Sequence, residues 1–272
     1  MYFSRLAING LVNGMQPFQA SDGSALVCNG EIFNHKELAT GLEKSSSDCE
    51  CIMHLIAKNG IHDTCKMLRG EFAFCWSDGD RVIAARDPYG VRPLFYTKTG
   101  ENSIAFASEA KALKNFGYRV EIFPPGNFYD SYSDTFTVYH TCYWPDKGVN
   151  NGSELMTRFE EAVRIRVENT ERPIGFFLSG GLDSSLVATV AKKYLGEIRT
   201  FSIGTPDSPD ILAARKVASY LGSKHTEVNF DIDEGISVIP SVIESIESYD
   251  TTTVRASVPM WLLSRWISQN TD

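Results

Sequence analysis

The sequence predicts an α/β protein of two domains, an antiparallel-sheet domain followed by a parallel-sheet α/β domain. Three observations predict it. In the first half, apolar or aromatic runs of four to six residues follow one another closely, separated by Asp78-Gly79-Asp80, Pro88-Tyr89-Gly90 and Thr99-Gly100. In the second half, similar runs alternate with helix-length segments, the pattern of strands joined by crossover helices. Between the halves, residues 130–151 are polar and irregular, which places the domains at 1–140 and 150–272.

Element by element, residues 25–28 read as a strand running into the turn-like pair Asn29-Gly30. Further strands follow at 71–76, 81–85, 93–97 and 103–107, spaced closely enough for antiparallel pairing. Helices are expected at 48–58 and at 109–115, the latter opened by Ser108 as N-cap. Pro124-Pro125-Gly126 marks a rigid turn. In the second domain Asn151-Gly152-Ser153-Glu154 fits a capping box, and Leu155, Phe159, Val163 and Val167 then share one helical face. Strands at 174–178, 200–203 and 225–230 alternate with helices at 184–194, 210–221 and 234–247. Ligands of such sheets sit beyond the carboxyl ends of the strands, so the turn after Leu178 is the first place to look for a site.

Composition narrows the classes. The 272 residues are 43% hydrophobic and 22% charged, with a net charge of −8, and neither half carries a Lys/Arg block. Nucleic acid is therefore not an expected partner. No apolar run approaches the roughly 18 residues of a membrane span, and the amino terminus lacks a charged-then-apolar leader pattern. A soluble, cytoplasmic protein with no membrane partner is the expectation. The six cysteines lack zinc-ligand spacing and read as reduced thiols.

The turn itself is Phe177-Leu178-Ser179-Gly180-Gly181-Leu182-Asp183-Ser184-Ser185. Two glycines let backbone N–H groups approach an anion, three hydroxyls add donors, and the following helix aims its positive end at the same point. Asp183 would repel a bare phosphate but suits a divalent cation lying between them. A plain Gly-Gly turn with a capping Asp/Ser pair is the alternative on local pattern alone. Neither G-x-x-x-x-G-K-[ST] nor G-x-G-x-x-G occurs, which disfavours P-loop hydrolysis and Rossmann-type hydride chemistry.

Ser179-Gly180-Gly181-Leu182-Asp183-Ser184 resembles the pyrophosphate loop of the ATP pyrophosphatases, which cleave ATP between the α and β phosphates. Together with Phe201-Ser-Ile-Gly, Asp207-Ser-Pro-Asp210, Ala213-Ala-Arg-Lys-Val-Ala and Tyr249-Asp-Thr-Thr-Thr-Val-Arg-Ala-Ser257, it is similar to the glutamine-hydrolysing asparagine synthetases of eukaryotic type. The first domain resembles class II glutamine amidotransferases through Arg5-Leu-Ala-Ile-Asn9, Gln16-Pro17, Cys28-Asn-Gly-Glu-Ile-Phe-Asn34, Asp48, Arg86-Asp-Pro-Tyr-Gly-Val-Arg-Pro-Leu-Phe95 and Ser108-Glu-Ala-Lys111. The resemblance implies a glutaminase-like αββα antiparallel-sheet domain followed by an ATP-pyrophosphatase-like α/β domain. It implies L-glutamine, L-aspartate and ATP as substrates, Mg²⁺ as cofactor, and allows a homo-oligomer. Asn29 and Gly30 would form the oxyanion hole. Arg5 would pair with the glutamine carboxylate, Leu6, Ala7, Ile8 and Asn9 would line its pocket, and Glu31 and Asp48 would receive its amide or ammonium. Residues 177–185 and Ile203 would hold ATP, Asp183 the metal, and Thr252 and Arg255 the aspartate.

Against the family pattern, the nucleophilic amino-terminal cysteine is not at position 2, which is Tyr2. Both the start of the first domain and the last part of the second are expected to be missing. Cys28 adjoins Asn29 but is internal, and is not expected to replace that nucleophile. The resemblance therefore leads us to expect no glutaminase and little synthetase activity from these 272 residues alone. The alternatives are a β-lactam synthetase-like adenylating amidotransferase, a non-catalytic truncated isoform that binds nucleotide or a full-length partner, and a nucleic-acid-modifying ATP pyrophosphatase.

Overall fold

The computed structural model describes residues 1–39, 47–100, 103–116, 119–142, 152–206 and 208–271. The chain divides into two compact units, Met1–Val149 and Asn150–Asp272.

In the first unit the elements run β1 (Phe18–Gln19), β2 (Ala25–Ile32), α1 (His35–Leu38), α2 (Cys51–Met67), β3 (Gly70–Ser77), β4 (Val82–Arg86), β5 (Phe95–Gly100), β6 (Ser103–Ala107), β7 (Glu121–Ile122), β8 (Asn127–Asp130) and β9 (Thr135–Val138). They form a six-stranded antiparallel sheet in the order β1-β2-β3-β4-β8-β9 and a three-stranded antiparallel sheet in the order β6-β5-β7. Side chains alternate across the larger sheet as the pleat dictates. Leu26, Cys28, Ile32, Phe72, Phe74, Ile83, Ala85 and Phe128 face one way and pack with Ile52, Leu55, Ile56 and Cys65 of α2. Ala73, Ala84, Tyr129 and Phe136 of β9 face the other way, into an aromatic layer built with Tyr96 and Phe106 of the second sheet and with Phe123, next to β7. The 3₁₀ helix Ala110–Phe116 packs on β5 and β6.

Several sequence expectations are corrected here. Asn29 and Gly30 are not a turn: β2 continues through them, pairing Asn29 with Ala73 and Gly30 with Phe72. A Cβ on Gly30 would overlap the Glu71 carbonyl oxygen and lie 2.7 Å from Phe72 Cα, so this glycine serves close strand approach. The helix expected at 48–58 begins with a 3₁₀ turn, Asp48–Glu50, and runs on to Met67, with a non-helical break at Gly60 (φ 74°). Residues 130–138, read as irregular, form a hairpin that closes the sheet. Arg81 clamps its turn by donating to both carboxylate oxygens of Asp130, and Phe136 packs 4.9 Å from Tyr96. The capping box at Asn151 lies outside the described residues.

In the second unit the elements are α3 (Gly152–Glu168), β10 (Gly175–Phe177), α4 (Leu182–Leu195), β11 (Arg199–Gly204), α5 (Pro209–Leu221), β12 (Lys224–Asn229), α6 (Ile232–Ser237), α7 (Ile239–Ile246) and α8 (Thr251–Asn270). β10, β11 and β12 form a parallel sheet in chain order, each pair joined through one helix. Phe176 and Leu178 pack with Val163 and Val167 of α3, Ala188 and Ala191 of α4, and Ala214 and Ala218 of α5. A second cluster joins Ile203 and Phe230 to Val242 of α7 and to Val254 and Val258 of α8. The single helix expected at 234–247 is two, because Pro240 lacks an N–H for the preceding turn and instead sits in the first turn of α7. Sequence reasoning missed α8. Its start is nonetheless written in the sequence: Asp250 accepts the Thr253 N–H at 2.8 Å as N-cap.

A polar ladder crosses the parallel sheet. His225 on β12 bonds Thr200 (Nδ1···Oγ1, 2.9 Å) and Ser202 (Nε2···Oγ, 3.1 Å) on β11. Burial pushes the His225 pKa down, only partly opposed by Glu227. The neutral ring is therefore favoured in the folded state, and its stabilisation is complete above the unfolded value of about 6.5 and lost as pH falls below it. The denaturation midpoint should fall between about pH 7.5 and 5.5, on either side of that value, and His225→Gln should flatten the slope. An unchanged slope in the variant contradicts the assignment.

Candidate functional site

In the first unit, β2 has one side paired to β3 and the other open beyond its short contact with β1. Backbone groups alternate sides along a strand, so the partner of one residue fixes the direction of the next but one. At Cys28 both groups point to the open side. Its N–H donates to Gln16 Oε1 at 2.6 Å and its C=O accepts Gln16 Nε2 at 3.1 Å. At Ile32 the N–H, again on that side, donates to Asp48 Oδ2 at 2.7 Å. Gly30 lies between them in the same register: its C=O takes the Cys49 thiol at 3.4 Å, and its N–H is directed to the open side. Asn29 Nδ2 donates to Ser108 Oγ at 3.3 Å, tying β2 to the segment after β6.

That open side forms the wall of a cleft of about 740 Å³. Arg5, Leu6, Ile8, Asn9, Asn29, Gly30, Glu31 and Asp48 all line it, and Ala7 does not. Leu6 is 86% exposed at the rim. Asp48 is buried, its carboxylate held by the Ile32 N–H and by Ser47 Oγ at 3.0 Å. Two cysteines, Cys28 and Cys49, line the cleft, and both are buried. The Cys49 thiol is raised well above its ordinary value, first by its hydrogen bond with Cys28 and then by burial. Burial likewise pushes the neighbouring Cys51 up to about 12, so Cys49 and Cys51 are thiols at neutral pH rather than nucleophiles.

Arg92 also lines the cleft and was not among the site residues expected from sequence. Its Nη2 stands 3.8 Å from Glu31 Oε1. The signal was present in the 86–95 motif. Buried Asp87 accepts the N–H groups of Tyr89, Val91 and Arg92 at 3.0 Å each. Arg86 donates to the carbonyls of Arg92, Phe123 and Gly90 at 2.7–2.8 Å. This adjacent pair fixes the backbone from which Arg92 projects.

In the second unit, Leu178 N–H donates to Phe201 O at 2.8 Å, and the chain then turns through Ser179, Gly180 and Gly181 into α4. Gly180 has φ +77°, and a Cβ there would stand 2.5 Å from Ala213 C and 2.6 Å from Ala213 Cβ. Both the left-handed backbone and the contact with α5 demand glycine. The loop is organised by hydroxyls: Ser179 and Ser184 bond each other at 3.1 Å, and Ser185 Oγ donates to Gly181 O at 2.6 Å. Gly181 is the N-cap of α4, and Asp183 is exposed in that helix's first turn. Phe177 and Leu182 are exposed and Leu178 is buried, so these three contribute backbone or rim surface. Because Val254 and Val258 pack on Ile203 and Phe230, the first half of α8 lies over the carboxyl ends of β11 and β12. It carries Thr252 and Arg255, both exposed. Among the described residues, no group of three or more His, Cys, Asp or Glu is arranged to hold a metal, and no helix is long and apolar enough to cross a membrane.

Comparison with known proteins agrees with this division. Residues 3–115 match the glutamine amidotransferase domain family, and residues 154–272 match asparagine synthase. The chain is 42% identical over 296 residues to a probable asparagine synthetase [glutamine-hydrolyzing] of Dictyostelium discoideum. That alignment covers 97% of this chain and 53% of the relative. The asparagine synthetases of Cricetulus griseus and Homo sapiens are 43% and 42% identical over 312 residues, covering 99% of this chain and 55% of each. The chain thus spans about half the length of the relatives it matches. The first unit is thus similar to glutamine amidotransferase domains and the second to asparagine synthase domains.

Proposed function

We propose that the chain is the glutamine-binding and nucleotide-binding portion of a cytosolic, glutamine-dependent asparagine synthetase, with residues 1–140 and 150–272 as its two functional domains. The observation that carries the first half is the Gly30 N–H, directed to the open side of β2 in a cleft that also holds Asn29 and charges of both signs. Glutamine is a zwitterion with a primary amide. The Gly30 N–H and Asn29 amide are donors for the oxygen of a tetrahedral intermediate, and Glu31, Asp48 and the arginines suit the two charged ends. In net hydrolysis the amide C–N bond breaks, water supplies the oxygen of the new carboxylate, and ammonia and glutamate are released. Neither Cys28 nor Cys49 supplies the nucleophile, since both thiols are buried.

In the second half, the loop at residues 179–185 suits the polyphosphate of ATP, with backbone N–H groups, three hydroxyls and the α4 amino terminus on one turn. The residues fit a magnesium ion in the way such ions usually bind, through one exposed carboxylate, Asp183, together with substrate phosphates. Its chemistry there is neutralisation of phosphate charge. Arg255 suits an aspartate carboxylate. The aspartate β-carboxylate attacks the α-phosphorus, the bond to the β-phosphate breaks, and pyrophosphate leaves. Ammonia then displaces AMP from β-aspartyl-AMP to give asparagine. Titration calorimetry of the intact chain tests the reading: L-glutamine and Mg·ATP should each bind once, without competing. Mutual competition, or failure of both to bind, overturns it.

A further inference from the structure

Short β1 pairs with β2 antiparallel, Phe18 opposite Leu26 and Gln19 opposite Ala25. Carried back along the chain, that register would set Gln16 opposite Cys28 and Gly14 opposite Gly30. The main chain does not carry it back, since β1 begins at Phe18. The Gln16 side chain makes the next pair instead. Its Oε1 accepts the Cys28 N–H at 2.6 Å and its Nε2 donates to Cys28 O at 3.1 Å. A primary amide carries the same donor and acceptor as a peptide group, so it can stand in for one residue of a partner strand.

This exchange of main chain for side chain decides what Gly30 can do. A main-chain partner running on to residue 14 would cover the Gly30 N–H with the next rung of the ladder. With the ladder ended by a side chain, that N–H stays directed to the open side, while β2 is still held two residues before it. Two residues after it, the Ile32 N–H is held by Asp48 Oδ2 at 2.7 Å. Side chains thus anchor β2 on both flanks of Asn29 and Gly30.

Gln16 also ends the segment that carries Arg5, and both residues line the cleft. Arg5 Nη2 donates to Asn9 O at 2.9 Å and to Gly10 O at 2.6 Å. The Gly14 N–H donates to Gly10 O at 2.8 Å, two residues before Gln16. One short, internally bonded stretch therefore runs from the arginine to the flank of the donor pair.

We propose that Gln16 is a positioning residue for amide recognition. It holds Cys28 so that the Asn29 amide and the Gly30 N–H face the carboxamide oxygen of the bound amino acid. Gln16 bonds the β2 main chain and acts on the ligand through it. The proposal rests on the glutamine reading above.

Titration calorimetry of the full chain with two probes tests it. L-Glutamine is compared with L-norvaline, which keeps the α-carboxylate and α-ammonium but has a methyl group in place of the carboxamide. Wild type should favour glutamine by roughly 10-fold, the scale of two neutral hydrogen bonds. Gln16→Met is close in length but lacks the donor–acceptor pair. In it the preference should shrink to about twofold, while norvaline affinity stays within about twofold of wild type. Circular dichroism checks that the variant is folded. Where it is not, Gln16→Glu takes its place: it keeps an acceptor for the Cys28 N–H, sets a carboxylate oxygen against Cys28 O, and should lose the preference likewise. Equal weakening of both ligands makes Gln16 a general support of the cleft and overturns the proposal, as does a preference that survives. If neither variant folds, Gln16 supports the whole unit and the proposal is again wrong, while the glutamine reading stands. If wild type binds neither compound, or both equally, the glutamine reading falls and the proposal with it.

Discussion

Gly180→Ala is expected to lower affinity for Mg·ATP by roughly 100-fold, the scale on which a displacement of about 1 Å disrupts a positioned site. The added methyl cannot be housed. It would stand 2.5 Å from the backbone of Ala213, on a residue whose φ is +77°. Either the loop lifts from α5 or α5 shifts from the sheet, and both change the spacing of Ser179, Gly181 and Ser184. Folding stability should fall by about 2–4 kcal/mol from clash and backbone strain together. Gly196 provides the control. Its φ is +72°, but no atom lies within 4 Å of the point where its methyl would stand. Gly196→Ala, at the far end of α4, should cost about 1 kcal/mol and leave nucleotide affinity unchanged. Denaturation and calorimetry on the two variants separate strain from loss of the site. Equal effects on ATP binding contradict the account of the loop.

Gly30→Ala is expected to unfold or rearrange the first unit. The new Cβ would meet the Glu71 carbonyl oxygen and the Phe72 backbone, inside the longest strand pair in the sheet. Relief requires β2 to move away from β3, which pulls Leu26, Cys28 and Ile32 off the α2 core. The expected cost is about 3 kcal/mol or more, the upper range for overpacking. Urea unfolding should show the loss in the first unit, with glutamine binding abolished. A stable variant that still binds glutamine rules out the close approach as the reason for this glycine.

How much of this was legible in the sequence depends on the element. In the second unit β10 to β12, α4 and α5 were readable because each apolar run ends at a breaker, Gly181 before α4, Ser208-Pro209 before α5 and Gly222 after it, whereas α8 was missed. The single helix read across 234–247 ignored what Pro240 does to a preceding turn. In the first unit Asn29-Gly30 misled, because the glycine that usually signals a hairpin is here required by inter-strand distance, which no local pattern reports. The hairpin at β8 and β9 was hidden by its polar outer face. Only Phe136 of β9 joins the aromatic layer. The loop at 179–185 was legible because its chemistry lies in consecutive residues. Arg92 was not, since its place in the cleft depends on Arg86 and Asp87 fixing a loop, and on Glu31 arriving from another strand.

Two separate sites on one chain are expected to take two different ligands. Hydrogen exchange of the intact chain, measured with each ligand alone, tests it most directly. Mg·ATP should slow exchange at residues 178–185 and 203–204 and leave residues 28–32 and 48 unchanged. L-glutamine should do the reverse. Protection by Mg·ATP in the first unit, or by glutamine at the 178–185 loop, would contradict the assignment of the two sites.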